Sequence, residues 1–203
     1  MMEAFFSLFQ LVNLAFFLAV FIGRSVSLWL RQAINPFALG AGKTGLNRLL
    51  ELLLLPWLGA WMLALVLAAR HSPFQPLAAL WRPLWAGWLP IQALGALAIL
   101  AGDSLFVWAL VSMRASWRIG IDERSAGGLV TGGAFAVSRN PIFLFIDLYF
   151  AGTFLLNGAP IFLLFAVITL AALHYQILQE EKFLAGRYGQ PYREYCRRSG
   201  RYF

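Results

Sequence analysis

Several ionisable residues lie where the sequence is otherwise apolar. Asp103 falls in the middle of the run Leu89–Met113, Asp147 inside Pro141–Leu156, and His174 within the run that starts near Pro160 and continues toward Glu181. Charge inside a bilayer is costly, which makes such groups functional candidates, for a proton or ion path among other roles. The competing role is hydrogen-bonded packing between helices. Spacings of four and eight put Arg139, Phe143 and Asp147 along one helix face, and a spacing of seven does the same for His174 and Glu181. A guanidinium pairs bidentately with a carboxylate. Adjacent glutamates, Glu180 and Glu181, point about 100° apart on a helix, so one is expected to face a pocket and the other solvent or a basic neighbour. Metal binding is not expected, because the single cysteine, Cys196, excludes a disulfide framework and any zinc site built on cysteine pairs.

Gly40-Ala41-Gly42-Lys43-Thr44-Gly45 carries a G-x-G-x-x-G spacing and a Gly-Lys-Thr triplet. A dinucleotide fingerprint needs a preceding strand in a βαβ unit, and a phosphate loop needs glycine five positions before Gly42, where Phe37 stands. The segment reads as a basic interfacial loop.

The elements that must hold these residues follow from composition. The 203 residues are 61% hydrophobic and 12% charged, with a mean hydropathy of +0.71. Soluble domains carry about 25% charged residues, so soluble-enzyme classes and disordered chains are excluded. Five runs approach the roughly 20 apolar residues that cross a bilayer: about Phe5–Gly23, Leu49–Ala69, Leu89–Met113, Pro141–Leu156, and Pro160 toward Glu181. Asn157-Gly158-Ala159-Pro160 is too short for anything but an antiparallel hairpin. No basic residue precedes the first run and no small-residue site closes it, so a cleaved leader is not expected. Of the 16 basic residues, only Arg70 and Arg82 fall on one side of these spans. The positive-inside rule then puts the N-terminus outside and the C-terminus in the cytoplasm. The formal charge of +7 is thereby explained by topology and attraction to anionic headgroups, with no nucleic acid required. Trp81, Trp85 and Trp88, among four prolines, suit an interfacial belt. The expected architecture is an all-α polytopic membrane protein of about five spans, the last two a hairpin, with a cytoplasmic tail. It divides into three spans over 1–113 and a functional core over 114–203.

The second half is the informative one. Leu129-Val130-Thr131-Gly132-Gly133-Ala134-Phe135 leads to Ser138-Arg139-Asn140-Pro141-Ile142-Phe143; after the hairpin come Gln179-Glu180-Glu181-Lys182-Phe183-Leu184 and Tyr188-Gly189-Gln190-Pro191-Tyr192-Arg193-Glu194-Tyr195. In order and spacing this resembles the superfamily of isoprenylcysteine carboxyl methyltransferases and phospholipid N-methyltransferases. Its members carry LVT-x-G-x-Y-x-x-x-RHP-x-Y, a two-helix hairpin, then EE-x-x-L-x-x-x-[FY]G-x-x-Y-x-x-Y. Arg139, Pro141, Glu180, Glu181, Gly189, Tyr192 and Tyr195 match, while Asn140 stands in place of histidine and Phe135 and Phe143 in place of tyrosines.

The resemblance implies an integral membrane, multi-pass enzyme dependent on S-adenosylmethionine, in the inner membrane if the cell is prokaryotic. It implies cofactor contacts from Leu129, Val130, Gly133, Phe135, Asn140, Pro141, Phe143, Glu180, Glu181 and Tyr192, with Arg139 and Glu181 in the chemistry. Carboxylates for ribose hydroxyls or an ammonium, a cation for a carboxylate, and aromatic surface for adenine are the groups such a cofactor needs. The expected acceptor is a lipophilic small molecule or lipidated chain admitted from the lipid. A carboxylate acceptor needs only a cation to hold it, Arg139 or a tail arginine, and the resemblance implies that role for Arg139. An amine acceptor needs a base: Glu180, Glu181 or Asp147. An NADPH-dependent membrane reductase and a non-catalytic transporter or subunit are the readings from other classes.

Overall fold

A computed structural model describes residues 2–32, 45–85, 87–113 and 128–203. The apolar run near the N-terminus has no internal Pro and continues past Gly23, through Arg24 and Arg31, as helix α1 (Met2–Gln32). Helix α2 spans Gly45–Ala69 around Pro56. A proline-rich connection with one 3-10 turn (Ala78–Trp81) leads to α3 (Leu89–Met113). A short α4 (Ala134–Val137) precedes α5 (Pro141–Asn157), α6 (Pro160–Tyr188) and α7 (Gln190–Arg198). Pro141 and Pro160 sit at the first positions of their helices, where a missing N–H costs no hydrogen bond. Gly158, at φ +66°, turns the chain between them.

Among the described residues, four helices are long and apolar enough to cross a membrane; α5 is apolar but only 17 residues long. At 1.5 Å per residue it measures about 26 Å, short of the roughly 30 Å hydrocarbon core. The fifth expected span is therefore a shorter helix held inside the bundle. Leu8, Leu97, Val111 and Val167 on the longer helices face outward, as lipid contact requires.

Helix α5 is the hub, lying along α3 on one side and α6 on the other. Glycine permits the first contact: a Cβ on Gly95 would stand 2.8 Å from the carbonyl oxygen of Gly152, and one on Gly152 2.7 Å from that of Gly95. Close backbone approach of this kind is how helices associate where no water drives them together. Around it one core joins Phe6 and Leu14 of α1, Trp61 and Leu65 of α2, Phe106 of α3, Phe145, Tyr149 and Phe150 of α5, and Phe162 of α6. Residues 1–113 and 114–203 thus share a single core across their described parts. Several polar groups tie the helices together: Asn157 Nδ2 donates to Gln10 Oε1 (2.6 Å), Gln92 Nε2 to the Leu156 carbonyl (3.2 Å), and Trp57 Nε1 to Thr169 Oγ1 (3.0 Å), whereas Trp61 Nε1 and the Tyr149 hydroxyl are buried with no hydrogen-bond partner among the described residues.

The tryptophan-rich connection folds back onto the hairpin. Trp81 is buried against Phe162, Trp85 donates to the Leu155 carbonyl (3.1 Å), and the Leu84 N–H bonds the Gly158 carbonyl (2.9 Å). Of Trp81, Trp85 and Trp88, only Trp88 is the largely exposed residue expected of a headgroup-level belt. The Gly40–Thr44 portion of the glycine-rich loop lies outside the described residues.

Candidate active site

The chain enters α5 through Ser138-Arg139-Asn140, and the segment after α7 runs beside it. Ser138 pairs with Gly200 as an isolated parallel bridge, and the Arg139 N–H donates to the Gly200 carbonyl at 2.9 Å. Ser138 Oγ (3.3 Å) and Asn140 Nδ2 (3.1 Å) both donate to the Arg201 carbonyl. Helix α7 turns Tyr192 and Tyr195 inward; Tyr195 and Ser199 hydroxyls reach the Phe135 carbonyl at 2.7 and 3.1 Å. Burial pushes both phenols above their ordinary range, reinforced at Tyr192 by neighbouring Cys196 and Glu181. Gly133, at φ +64°, lets the chain bend so that the Ala134 N–H bonds Ser112 Oγ at 3.0 Å, tying this layer to α3.

Arg139 is fixed on three sides. Nη2 donates to Glu181 Oε1 (2.9 Å), while Nη1 donates to the carbonyls of Ser199 (2.7 Å) and Cys196 (3.2 Å). Its Nε is buried with no hydrogen-bond partner among the described residues. Glu181 accepts a second guanidinium as well: Arg201 Nε reaches Oε1 at 3.1 Å and Nη2 reaches Oε2 at 2.7 Å. That pairing holds Arg201 still more firmly in its charged form.

Below this layer a cavity of about 200 Å³ opens into the bundle. Arg139, Asn140, Gln176 and Glu180 give it a polar end, with Phe135, Pro141 and Phe143 beside them. Its body is apolar, walled by Phe17 and Phe21 of α1, Leu54, Leu58 and Trp61 of α2, and Phe145, Ile146 and Phe150 of α5. Of the two glutamates, Glu180 lines the cavity and Glu181 faces the arginines, which is the divergence a helix imposes on neighbours.

The expected site residues therefore fall into three groups. Phe135, Arg139, Asn140, Pro141, Phe143 and Glu180 meet at the cavity. Glu181 and Tyr192 stand behind it in the supporting layer, while Leu129, Val130 and Gly133 form the approach to α4 and are not part of the lining. Sequence reasoning missed Gln176 and Leu173, although 173, 176 and 180 fall on one helical face, and it missed the part Arg201 plays, for which no local pattern exists. Asp103 is buried in α3, with neither carboxylate oxygen bonded among the described residues, and is outside the cavity lining. Asp147 is outside it too. His174 points to Tyr202, its Nδ1 2.7 Å from the phenol oxygen. No group of three or more His, Cys, Asp or Glu side chains among the described residues could hold a metal ion.

A bundle of apolar helices with a charged cluster at one end and a lipophilic cavity beneath it defines an integral membrane protein with an enzyme-like site. Residues 91–191 match the model of the phospholipid methyltransferase family, and the chain belongs to this superfamily of membrane methyltransferases. No curated protein and no solved structure matches it.

Proposed function

We propose that this protein transfers a methyl group from S-adenosylmethionine to a lipophilic acceptor, in the manner of the isoprenylcysteine carboxyl methyltransferases. The observation that carries this reading is one cavity joining a polar end at Arg139, Asn140, Gln176 and Glu180 to an apolar body between α1, α2 and α5. The residues fit the cofactor in kind. Glu180 offers a carboxylate for hydroxyls or an ammonium, the buried Arg139 Nε an unused donor, and Phe135 and Phe143 aromatic surface. When bound, the cofactor supplies an electrophilic methyl group on a sulfonium.

The work left to the chain is alignment, since an in-line displacement depends above all on where the nucleophile is held. The Pro141 end of α5 floors the polar end of the cavity, Arg139 supplies a fixed cation beside it, and the apolar walls keep water from the acceptor. α2 and α6 meet at Trp57 with Phe165 (ring centroids 4.7 Å apart) and Thr169. Leu54 and Leu58 of α2 and Leu173 of α6 line the cavity near that contact, and a lipid-borne acceptor would enter along this apolar side. For a phospholipid amine, Glu180 would take the proton. The charge distribution supports a cytoplasmic position for this end of the bundle.

Calorimetry on the detergent-purified protein with S-adenosylhomocysteine and with NADPH tests the reading. Binding of the former alone is the expected result. Binding of NADPH alone would make the protein a reductase, and binding of neither would leave the non-catalytic reading. Methyl transfer to isoprenoid-carboxylate and phospholipid acceptors from labelled cofactor then assigns the acceptor.

A further inference from the structure

We propose that Arg201 is a positioning residue of this site: acting through Glu181, it holds the Arg139 guanidinium in place at the polar end of the cavity. The inference rests on the methyltransferase reading for its kinetic consequence and on geometry alone for its structural one.

Arg139 could not hold this pose unaided. Its Nη1 is taken by two main-chain carbonyls of the segment around Ser199, and its Nη2 by Glu181. Glu181 is a long side chain whose carboxylate, left with Arg139 alone, could swing about its χ angles. Arg201 removes that freedom by gripping both oxygens, Nε on Oε1 and Nη2 on Oε2, a fork that a carboxylate accepts in one plane only. The shared oxygen, Oε1, receives both arginines. The orientation of Arg201 is thereby passed to Arg139 through one atom.

The arrangement is not simply what ties the last residues down. That segment is anchored independently of the Arg201 side chain: the Gly200 carbonyl takes the Arg139 N–H, the Arg201 carbonyl takes Ser138 and Asn140, and the Tyr202 hydroxyl meets the His174 ring. Removing the guanidinium leaves all of these bonds in place. What it releases is Glu181, and through Glu181 the one side of Arg139 that no carbonyl holds. Glu181 is outside the cavity lining, so Arg201 is not a stand-in for a ligand there but a brace behind the wall.

The test compares Arg201→Gln, Arg201→Lys, Glu181→Gln and the Arg201→Gln/Glu181→Gln pair in detergent or nanodiscs. The structural readout is the side-chain resonances of nitrogen-labelled arginines, assigned to Arg139 by an Arg139→Lys reference sample. A clamped guanidinium gives separate Nη signals, and these are expected to merge in Arg201→Gln and partly return in Arg201→Lys. The functional readout is kcat and KM beside the affinity for S-adenosylhomocysteine. Arg201→Gln should cut kcat about tenfold or more while affinity changes much less, and adding it to Glu181→Gln should do little further, as expected of residues acting in series. Unchanged Arg139 signals in Arg201→Gln, or full additivity with Glu181→Gln, would overturn the proposal. Tighter cofactor binding in Arg201→Gln would overturn it too, making Arg201 a displaceable occupant of Glu181. Should the wild type transfer no methyl group, the functional reading fails, while the Arg139 resonances still decide whether Arg201 braces it.

Discussion

Arg139 spends most of its hydrogen-bonding capacity inside the protein. A guanidinium has five N–H donors, and Nη1 and Nη2 are committed to Glu181 and to the carbonyls of Ser199 and Cys196. Glu181 is shared between two guanidiniums, so the cluster keeps a net positive charge for the acceptor carboxylate that the resemblance assigns to Arg139, and Nε remains as the buried donor. Arg139→Lys keeps the charge and loses the fork. If Arg139 aligns the acceptor, that variant should bind S-adenosylhomocysteine within a few-fold of wild type but turn over far more slowly. A parallel loss of both would assign it to the cofactor. Glu180→Gln is expected to weaken S-adenosylhomocysteine binding about tenfold or more, the equivalent of one charge-assisted hydrogen bond of about 1.5–3 kcal/mol. Equal affinity in calorimetry would remove Glu180 from the site. The site was legible in sequence where its residues are neighbours. Arg139-Asn140-Pro141 announces itself as a charged entry into a helix, and Glu180-Glu181 as a pair that must diverge. Arg201 was not legible, because its partner lies 20 positions away across a reversal of the chain at Gly189.

Among the elements, α5 carries the most specific demands. Its contact with α3 has no room for a side chain at Gly95 or Gly152. Gly152→Val should lower thermal stability in detergent by about 1–3 kcal/mol or more, as overpacking does. Gly59→Ala in α2, with nothing within 4 Å of the new methyl, should not. A Gly152→Val protein as stable as wild type would mean that α3 and α5 do not cross there. The polar tie between α2 and α6 is weaker. Thr169→Val removes the partner of Trp57 Nε1 and is expected to cost about 0.6–2 kcal/mol, the range for such bonds between membrane helices, readable in the same unfolding assay. The helices themselves were readable from their apolar runs, those of α5 and α6 opened by prolines. Their ends were less so: α1 runs on to Gln32 because nothing in Arg24–Gln32 stops a helix, whereas hydropathy alone ends the run at about Gly23. Trp81 and Trp85 read as headgroup-level indoles by composition; the fold packs them on the α5–α6 hairpin, Trp81 against Phe162 with its N–H on the Pro76 carbonyl of its own segment, and Trp85 with its N–H on the Leu155 carbonyl.

For the molecule as a whole, the placement of basic residues predicts that Phe203 and the Asn157–Pro160 turn lie on opposite sides of the membrane, with Phe203 in the cytoplasm. Reporter fusions at the two positions check this, and the same side for both would dismantle the hairpin and the site with it. The hairpin also explains where the site lies in depth. α5 and α6 start level at their shared turn, but α5 has 17 residues and α6 has 29. At the far end α6 rises above its partner by about 18 Å, and the chain leading into α5, together with α7 and the residues after it, closes the other sides. The result is a recess at that end of the bundle, with Pro141 and Glu180 at its polar rim and the apolar cavity continuing below them to Tyr149 and Phe150. Under the proposed methyl transfer, a water-borne cofactor entering past Glu180 and a lipid-borne acceptor arriving along the apolar walls would meet at one depth, so neither would have to cross into the other's solvent.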